Sequence, residues 1–503
     1  MNRLDGNIAL ITSAHVADFN VALCARLKTL TGRKVILYVQ GQESMNRHRP
    51  FLDRGDVDAV VDCGLFAVFA LAGNDEQAIF ERARLLEKWI GLPYGWLLMS
   101  RREAGRGFAL AGLYHPHSPF SRSISQAQLV HGTNEMLDFW CREIAERNIS
   151  VLLNGNKEAA VVCRTIGIPY RTMYATRYRS MYYWAHDEMV APPGLEKAYV
   201  NAGDGRRPPI VLDEPYRHES ETRKIFVGNN GFPRFLRFTW MQLMRQTYLR
   251  VKGYRTKNTY FFKDSIKYYW KYYRDSKYLT SPRTVSLKSL ADTPFVFFPL
   301  QTEPEYSMQT MSPECFCQLG VIASLARDLP AGVTLAVKET IWGLGRRPRD
   351  FYRQIQEFKN VKLLDVDERG LEVVKRAVAV ATISGSAGIE AALLGRPVIL
   401  FGRHNGYQFL PHVSMVTREE DLAPALAAVF DGRIDAVEAT AAGARYAAAL
   451  EKVSFSLPGF AAFQKDGWTD EHVETAARTL LADVLSLGDT GGDVANIRLR
   501  EPI

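Results

Sequence analysis

The run Ser384-Gly385-Ser386-Ala387-Gly388 has the composition of an anion-binding turn. Three of its five residues are Gly or Ala, so backbone N–H groups can approach a ligand closely. A helix starting there aims its positive dipole end at the same place. Glu390 lies one step into that helix, where a carboxylate can accept a ribose hydroxyl. The plainer reading is a tight turn followed by an N-terminal helix charge. In the first half of the chain, His15 and Asp18 follow the apolar run Asn7–Ser13, and Glu158 opens a helical stretch after Ile149–Leu153. Each can serve as a general base, and each can equally be a helix-start polar residue.

These residues need rigid elements beneath them. Around the small-residue run, Val378–Ile383 reads as a buried strand, Ile389–Leu394 as a helix ended by Gly395-Arg396-Pro397, and Val398–Phe401 as the next strand. Strand, tight loop, helix and strand in that order predict a parallel α/β sheet, which presents ligands at the carboxyl ends of its strands. The opening repeats the pattern: Asn7–Ser13 strand, His15–Leu30 helix, Lys34–Gln40 strand. So does Ile149–Tyr174, with Asn154-Gly155-Asn156 after its strand and Gly167-Ile168-Pro169 closing its helix. Between Phe295 and Val416, Phe295–Pro299, Val333–Val337 and Asn360–Leu364 read as further strands, and Pro313–Leu329 as a helix led by its proline. Val437–Leu450 and Asp470–Leu487 read as helices leaning back on the first domain.

At 503 residues, 47% hydrophobic and 23% charged, the chain has room for two or three ordinary globular domains. Its six cysteines are scattered, which predicts reduced thiols rather than a disulfide framework or a structural zinc. The N-terminus lacks a signal-peptide pattern, and no window of eighteen apolar residues is present. A cytoplasmic protein is expected.

Arg234–Lys277 differs from the rest: twelve Lys or Arg against two acids, with Phe, Tyr and Trp interleaved. That composition suits an anionic membrane surface, here the inner membrane, or an acidic polymer. No recognition motif favours nucleic acid. The alternative is a helical insertion whose aromatics pack on a sheet while its charges face water.

Several motifs in order resemble the bacterial capsular and surface polysaccharide biosynthesis glycosyltransferases, which include the β-Kdo transferases. Pro299-Leu300-Gln301 with Glu303-Pro304-Glu305 resembles their strand-end PL…PE. Gln318 through Leu329-Pro330 is similar to their Q…IA…LP. Val337-Lys338-Glu339, Gly345-Arg346-Arg347-Pro348 and Phe351-Tyr352 resemble VKEHP…GRRP…FY. Asn360–Leu363 is similar to NVKL, and Thr382–Gly402 to TITGTAGLEA…GKPVI.FG. The likeness covers residues 295 to 416; within it, Tyr407, Leu410 and Pro411 fall where the family often has Y..LP.

The resemblance implies a GT-B-like α/β fold: two Rossmann-like domains facing a cleft, with a basic aromatic helical insertion between them. It places an acceptor domain at 1–230, the insertion at 231–290, a nucleotide-sugar domain at 291–430, and helices with a tail at 431–503. Ser384–Gly388 and Lys338 would stabilise the leaving phosphate, Glu390 would take the ribose, and Glu305 or Glu303 would orient donor or acceptor. Asp18, His15 or Glu158 would be the base. Neither a metal nor an organic cofactor is required, because fixed dipoles can serve; the partners would be a nucleotide-sugar and a glycan or lipid-linked acceptor. Where the family reads His-Pro, this chain has Thr340-Ile341. In relatives that pair lies at the donor phosphate, so the departure counts against a CMP-linked donor such as CMP-Kdo and points to another nucleotide or to a binding-only domain that no longer turns over. A teichoic-acid-type phosphotransferase and a sugar-nucleotide epimerase share the same frame.

Overall fold

A computed structural model describes residues 5–12, 17–64, 75–99, 112–117, 124–203, 207–212, 231–253, 260–458 and 467–486. In the first domain, β1 (Asn7–Ile11), β2 (Val35–Val39), β3 (Ala59–Asp62), β4 (Ile149–Leu153) and β5 (Tyr170–Ala175) are parallel neighbours. Strand β6 (Met181–Ala185) adds to β5 antiparallel. The spatial order β6-β5-β4-β1-β2-β3 reverses between β1 and β4, as in a doubly wound sheet. All five residues of β2 are buried, as expected of a strand covered on both faces. Helix α1 (Ala17–Thr31) links β1 to β2, and α2 (Lys157–Ile166) links β4 to β5.

Two long helices follow, α3 (Phe232–Val251) and α4 (Phe262–Leu279). The second sheet is wholly parallel among β7 (Phe295–Pro299), β8 (Thr334–Lys338), β9 (Val361–Leu363), β10 (Ala379–Thr382), β11 (Val398–Leu400) and β12 (Val413–Met415). Its order, β12-β11-β10-β7-β8-β9, reverses between β7 and β10. The two sheets therefore share one winding, each with a switch point between its first and fourth strands.

The helix read over Pro313–Leu329 is in fact two pieces. Pro313–Cys315 is a single 3-10 turn, and α5 (Gln318–Asp328) starts only after Cys317 leaves helical geometry. Buried Cys315 and Phe316 pack beneath that break, so burial overrides the helix-start signal of the proline. Helix α6 (Ser386–Leu393) connects β10 to β11. The chain then returns: α7 (Ala436–Val453) packs on α6, a two-residue strand β13 (Phe455–Ser456) pairs antiparallel with β6, and α8 (Asp470–Ser486) lies on α1. Trp184 donates its indole N–H to the Ala476 carbonyl, and Arg171 pairs with Asp483, fastening α8 to the first sheet.

Candidate functional site

The carboxyl edge of the second sheet is drawn together at its switch point by Gln301. Its backbone N–H donates to Gln318 Oε1 at 2.7 Å, and its side-chain amide donates to the Pro299 carbonyl at 3.1 Å and to Thr382 Oγ1 at 3.3 Å. The loop after β7 is thus tied to the loop after β10. Gly385 caps α6 without a side chain, and its N–H also reaches Thr382 Oγ1. The helix begins at Ser386, three residues earlier than the sequence suggests. Ser386, Ala387 and Gly388 are its first turn, whose amides a helix leaves without intrahelical acceptors. A Cβ at Gly388 would strike the Tyr407 hydroxyl and stand 2.7 Å from Thr382 Cγ2, so close backbone approach requires glycine there.

A cleft between the domains opens beside this helix start. From the second domain it is lined by Ser384, Ile389, His404, Asn405 and Tyr407; from the first, by Tyr174, Arg177 and Tyr183. Arg177 donates from Nη1 to the Ser384 carbonyl at 3.4 Å and from Nη2 to the Tyr174 hydroxyl at 3.3 Å. It occupies the turn between β5 and β6 with φ +60°, a conformation uncommon for a residue with a side chain. Tyr174 first, and Glu305 among other neighbours, hold its guanidinium above the usual arginine range. Two buried polar atoms at the wall, Ser384 Oγ and the Tyr407 hydroxyl, have no hydrogen-bond partner among the described residues. Such groups are normally satisfied, so they mark a place for a polar ligand or water.

The motif residues flanking the cleft form a buried cage instead of a binding surface. Arg347 is 1% exposed. It donates to Glu339 at 2.6 and 2.9 Å, to Glu303 at 2.8 Å and to the Gln301 carbonyl at 2.6 Å. Tyr352 donates to Glu339 at 3.0 Å, and Gln318 donates to Glu303. Burial pushes the Glu303 carboxyl up to about 7 despite Arg347. Glu303 therefore faces inward and braces Gln301.

Residues 246–409 match the family described as capsule polysaccharide biosynthesis proteins. That match runs from the end of α3 through β11. No curated protein matches the chain by sequence. Among solved structures, the chain is similar to the KpsC β-Kdo 2,7 transferase of Thermosulfurimonas dismutans, at 13% identity over 69% of this chain and 90% of that one, TM-score 0.31. It is similar to the KpsC β-Kdo 2,4 transferase of the same organism at 14% identity, over 59% and 79%, TM-score 0.28. It is also similar to a putative UDP-N-acetylglucosamine 2-epimerase from Listeria monocytogenes at 11% identity, over 97% of each chain, TM-score 0.29.

Within the second domain, Lys338 ends β8, is 8% exposed, and donates to the Glu339 carbonyl at 3.2 Å. Glu390 is 5% exposed and follows Ile389, which lines the cleft where Glu390 does not. Thr340 and Ile341 lead a 3-10 turn; Thr340 N–H is bound by Glu339, and Ile341 packs on the core. Glu305 is exposed at the start of the short helix Tyr306–Gln309. In the first domain Glu158 is 2% exposed, in the first turn of α2, and its charge reaches Tyr306 of the second. Asp18 is exposed in the first turn of α1. His15 lies outside the described residues. Sequence alone does not single out Arg177; its only local signal is Thr176-Arg177 following a strand end, which is common.

Proposed function

We propose that the protein is a glycosyltransferase of capsule polysaccharide biosynthesis, taking its sugar from a nucleotide-sugar and passing it to a glycan or lipid-linked acceptor. The observation that carries this reading is Arg177 reaching across the cleft to Ser384 beside the α6 N-terminus. When a glycosidic phosphate leaves, negative charge grows on its oxygens. A fixed guanidinium and helix-end amides stabilise that charge without reorganising. Tyr407 and Ser384 would meet the sugar or ribose hydroxyls. Glu158, buried in the first turn of α2 with its charge acting on Tyr306 of the second domain, would take the proton from the acceptor hydroxyl once the cleft reaches it. Glu305, close enough to act on Arg177, would orient the acceptor or the donor phosphate. Lys338 would add positive potential from behind the cleft wall. Glu390, behind Ile389, would need that wall to move before a ribose could reach it.

The test is release of nucleotide from a set of CMP-, UDP- and GDP-sugars, with and without a capsule oligosaccharide acceptor. Acceptor-dependent release supports transfer. Release of free sugar or its epimer without acceptor would replace the reading with an epimerase.

A further inference from the structure

Among the described residues, nothing covers the outer face of α3. Its inner face is fully used: Phe238 stacks on Tyr269 at 4.9 Å, Phe235 meets Trp270 at 5.5 Å, Gln242 donates to the Tyr269 hydroxyl, and Leu249 is buried. The opposite face carries Leu236, Trp240, Leu243, Met244 and Val251, each between 42% and 79% exposed. These positions repeat with helical period along about 15 residues, an apolar line of about 22 Å at 1.5 Å per residue. Exposed Arg237 and Arg250 flank it, and Phe232–Val251 contains no acid. A helix apolar on both sides is ordinarily buried. A straight apolar line edged by arginines fits the plane of an anionic bilayer, where side chains enter the acyl boundary and guanidinium groups meet headgroup phosphates. Pairing with a second copy would set like charges against like.

Helix α4 is not part of that face. Lys267 and Lys271 lie over the Tyr114 ring at 5.1 and 5.8 Å, Lys271 donates to the Arg347 carbonyl, and Asp275 accepts from Gly345 N–H. These contacts hold α4 to the second domain and to Tyr114 of the first.

We propose that α3 lies in the surface of a membrane rich in anionic phospholipid, with Leu236, Trp240 and Met244 inserted and Arg237 and Arg250 on the headgroups. This stands independently of the transferase reading. The test is co-sedimentation of the full chain with phosphatidylcholine vesicles, with and without phosphatidylglycerol, alongside nucleotide binding. The wild type should sediment with anionic vesicles, less so at high salt. Leu236→Ser/Trp240→Ser/Met244→Ser and Arg237→Glu/Arg250→Glu should each weaken partitioning about tenfold or more. Both should keep the wild-type circular dichroism, since these side chains face outward. Lys263→Glu/Lys277→Glu on α4 should bind nearly as the wild type. Equal sedimentation of either α3 variant, binding indifferent to phosphatidylglycerol, or no vesicle binding at all would overturn the proposal. So would a wild-type dimer that the serine variant dissolves without any vesicle binding. Nucleotide binding unchanged in these variants would leave the cleft assignment standing in every case.

Discussion

Arg177 and Ser384 belong to different sheets, 207 residues apart in sequence, and are joined by a guanidinium-to-carbonyl hydrogen bond of 3.4 Å. The bond crosses the cleft where the second sheet reverses its winding. It puts the only first-domain cation lining the described cleft against the start of α6.

Arg177 combines a charge with a left-handed backbone, and the two can be separated. Asn tolerates φ near +60°, so Arg177→Asn should change folding stability by less than about 1 kcal/mol. It should weaken nucleotide-sugar binding about 10- to 100-fold, the size of a lost charge-assisted hydrogen bond. Arg177→Val should lose about 1–3 kcal/mol of stability as well, through strain. Denaturant titration and calorimetric binding read the two effects separately.

Gly388 is fixed by its neighbours. Gly388→Ala drives a methyl into the Tyr407 hydroxyl and Thr382, and overpacking of this kind costs about 1–3 kcal/mol. Adding Tyr407→Phe removes the atom most in the way. The double variant should recover part of the loss in chemical denaturation; strict additivity would contradict the contact.

Arg347 compensates two buried carboxylates. Arg347→Met keeps the side chain's length but leaves Glu339 and Glu303 unpaired, so the protein should lose about 3–5 kcal/mol of stability. Arg347→Lys should rescue little, because one ammonium cannot reproduce the fork to Glu339. Urea midpoints of the two variants check both statements.

Glu303 sets a pH dependence. Its ordinary value is 4.5, and burial raises it to about 7 in the folded protein. Between those values the folded form keeps a proton that the unfolded chain has lost. The stabilisation is therefore present at low pH and disappears as pH rises through 7. Asp275, pushed to about 6 by burial, adds the same sign. Glu303→Gln cannot titrate, so its stability relative to wild type should rise between pH 4.5 and about 7. The rise should not exceed about 1.4 kcal/mol for each pH unit crossed. A constant difference across that range would refute the assignment.

The α/β frame was legible because strands such as Val35–Val39 and Phe295–Phe298 are continuous apolar runs punctuated by glycine and proline. The small-residue run after β10 was legible too, since glycine at positions 385 and 388 has steric meaning that survives in sequence. What sequence could not supply was orientation. Glu303 and Glu305 are two residues apart, yet one turns into the Arg347 cage and the other faces solvent near Arg177. Likewise the basic aromatic stretch divides by face: α4 turns Lys267 and Lys271 onto Tyr114 and Arg347, while α3 exposes its apolar line. The partner of Ser384 lies in another domain, and no local pattern encodes a contact across 207 residues.

The most direct test of the account is a thermal-shift titration of wild type and Arg177→Asn against CMP, CDP, UDP, GDP and their sugars. A ligand at about a hundred times its dissociation constant adds about 2.7 kcal/mol to the folded state, which raises the unfolding midpoint by a few degrees. The account predicts that one nucleotide class stabilises the wild type and does so much less in Arg177→Asn. Stabilisation equal in both proteins, or by no nucleotide at all, would contradict a donor site between Arg177 and Ser384.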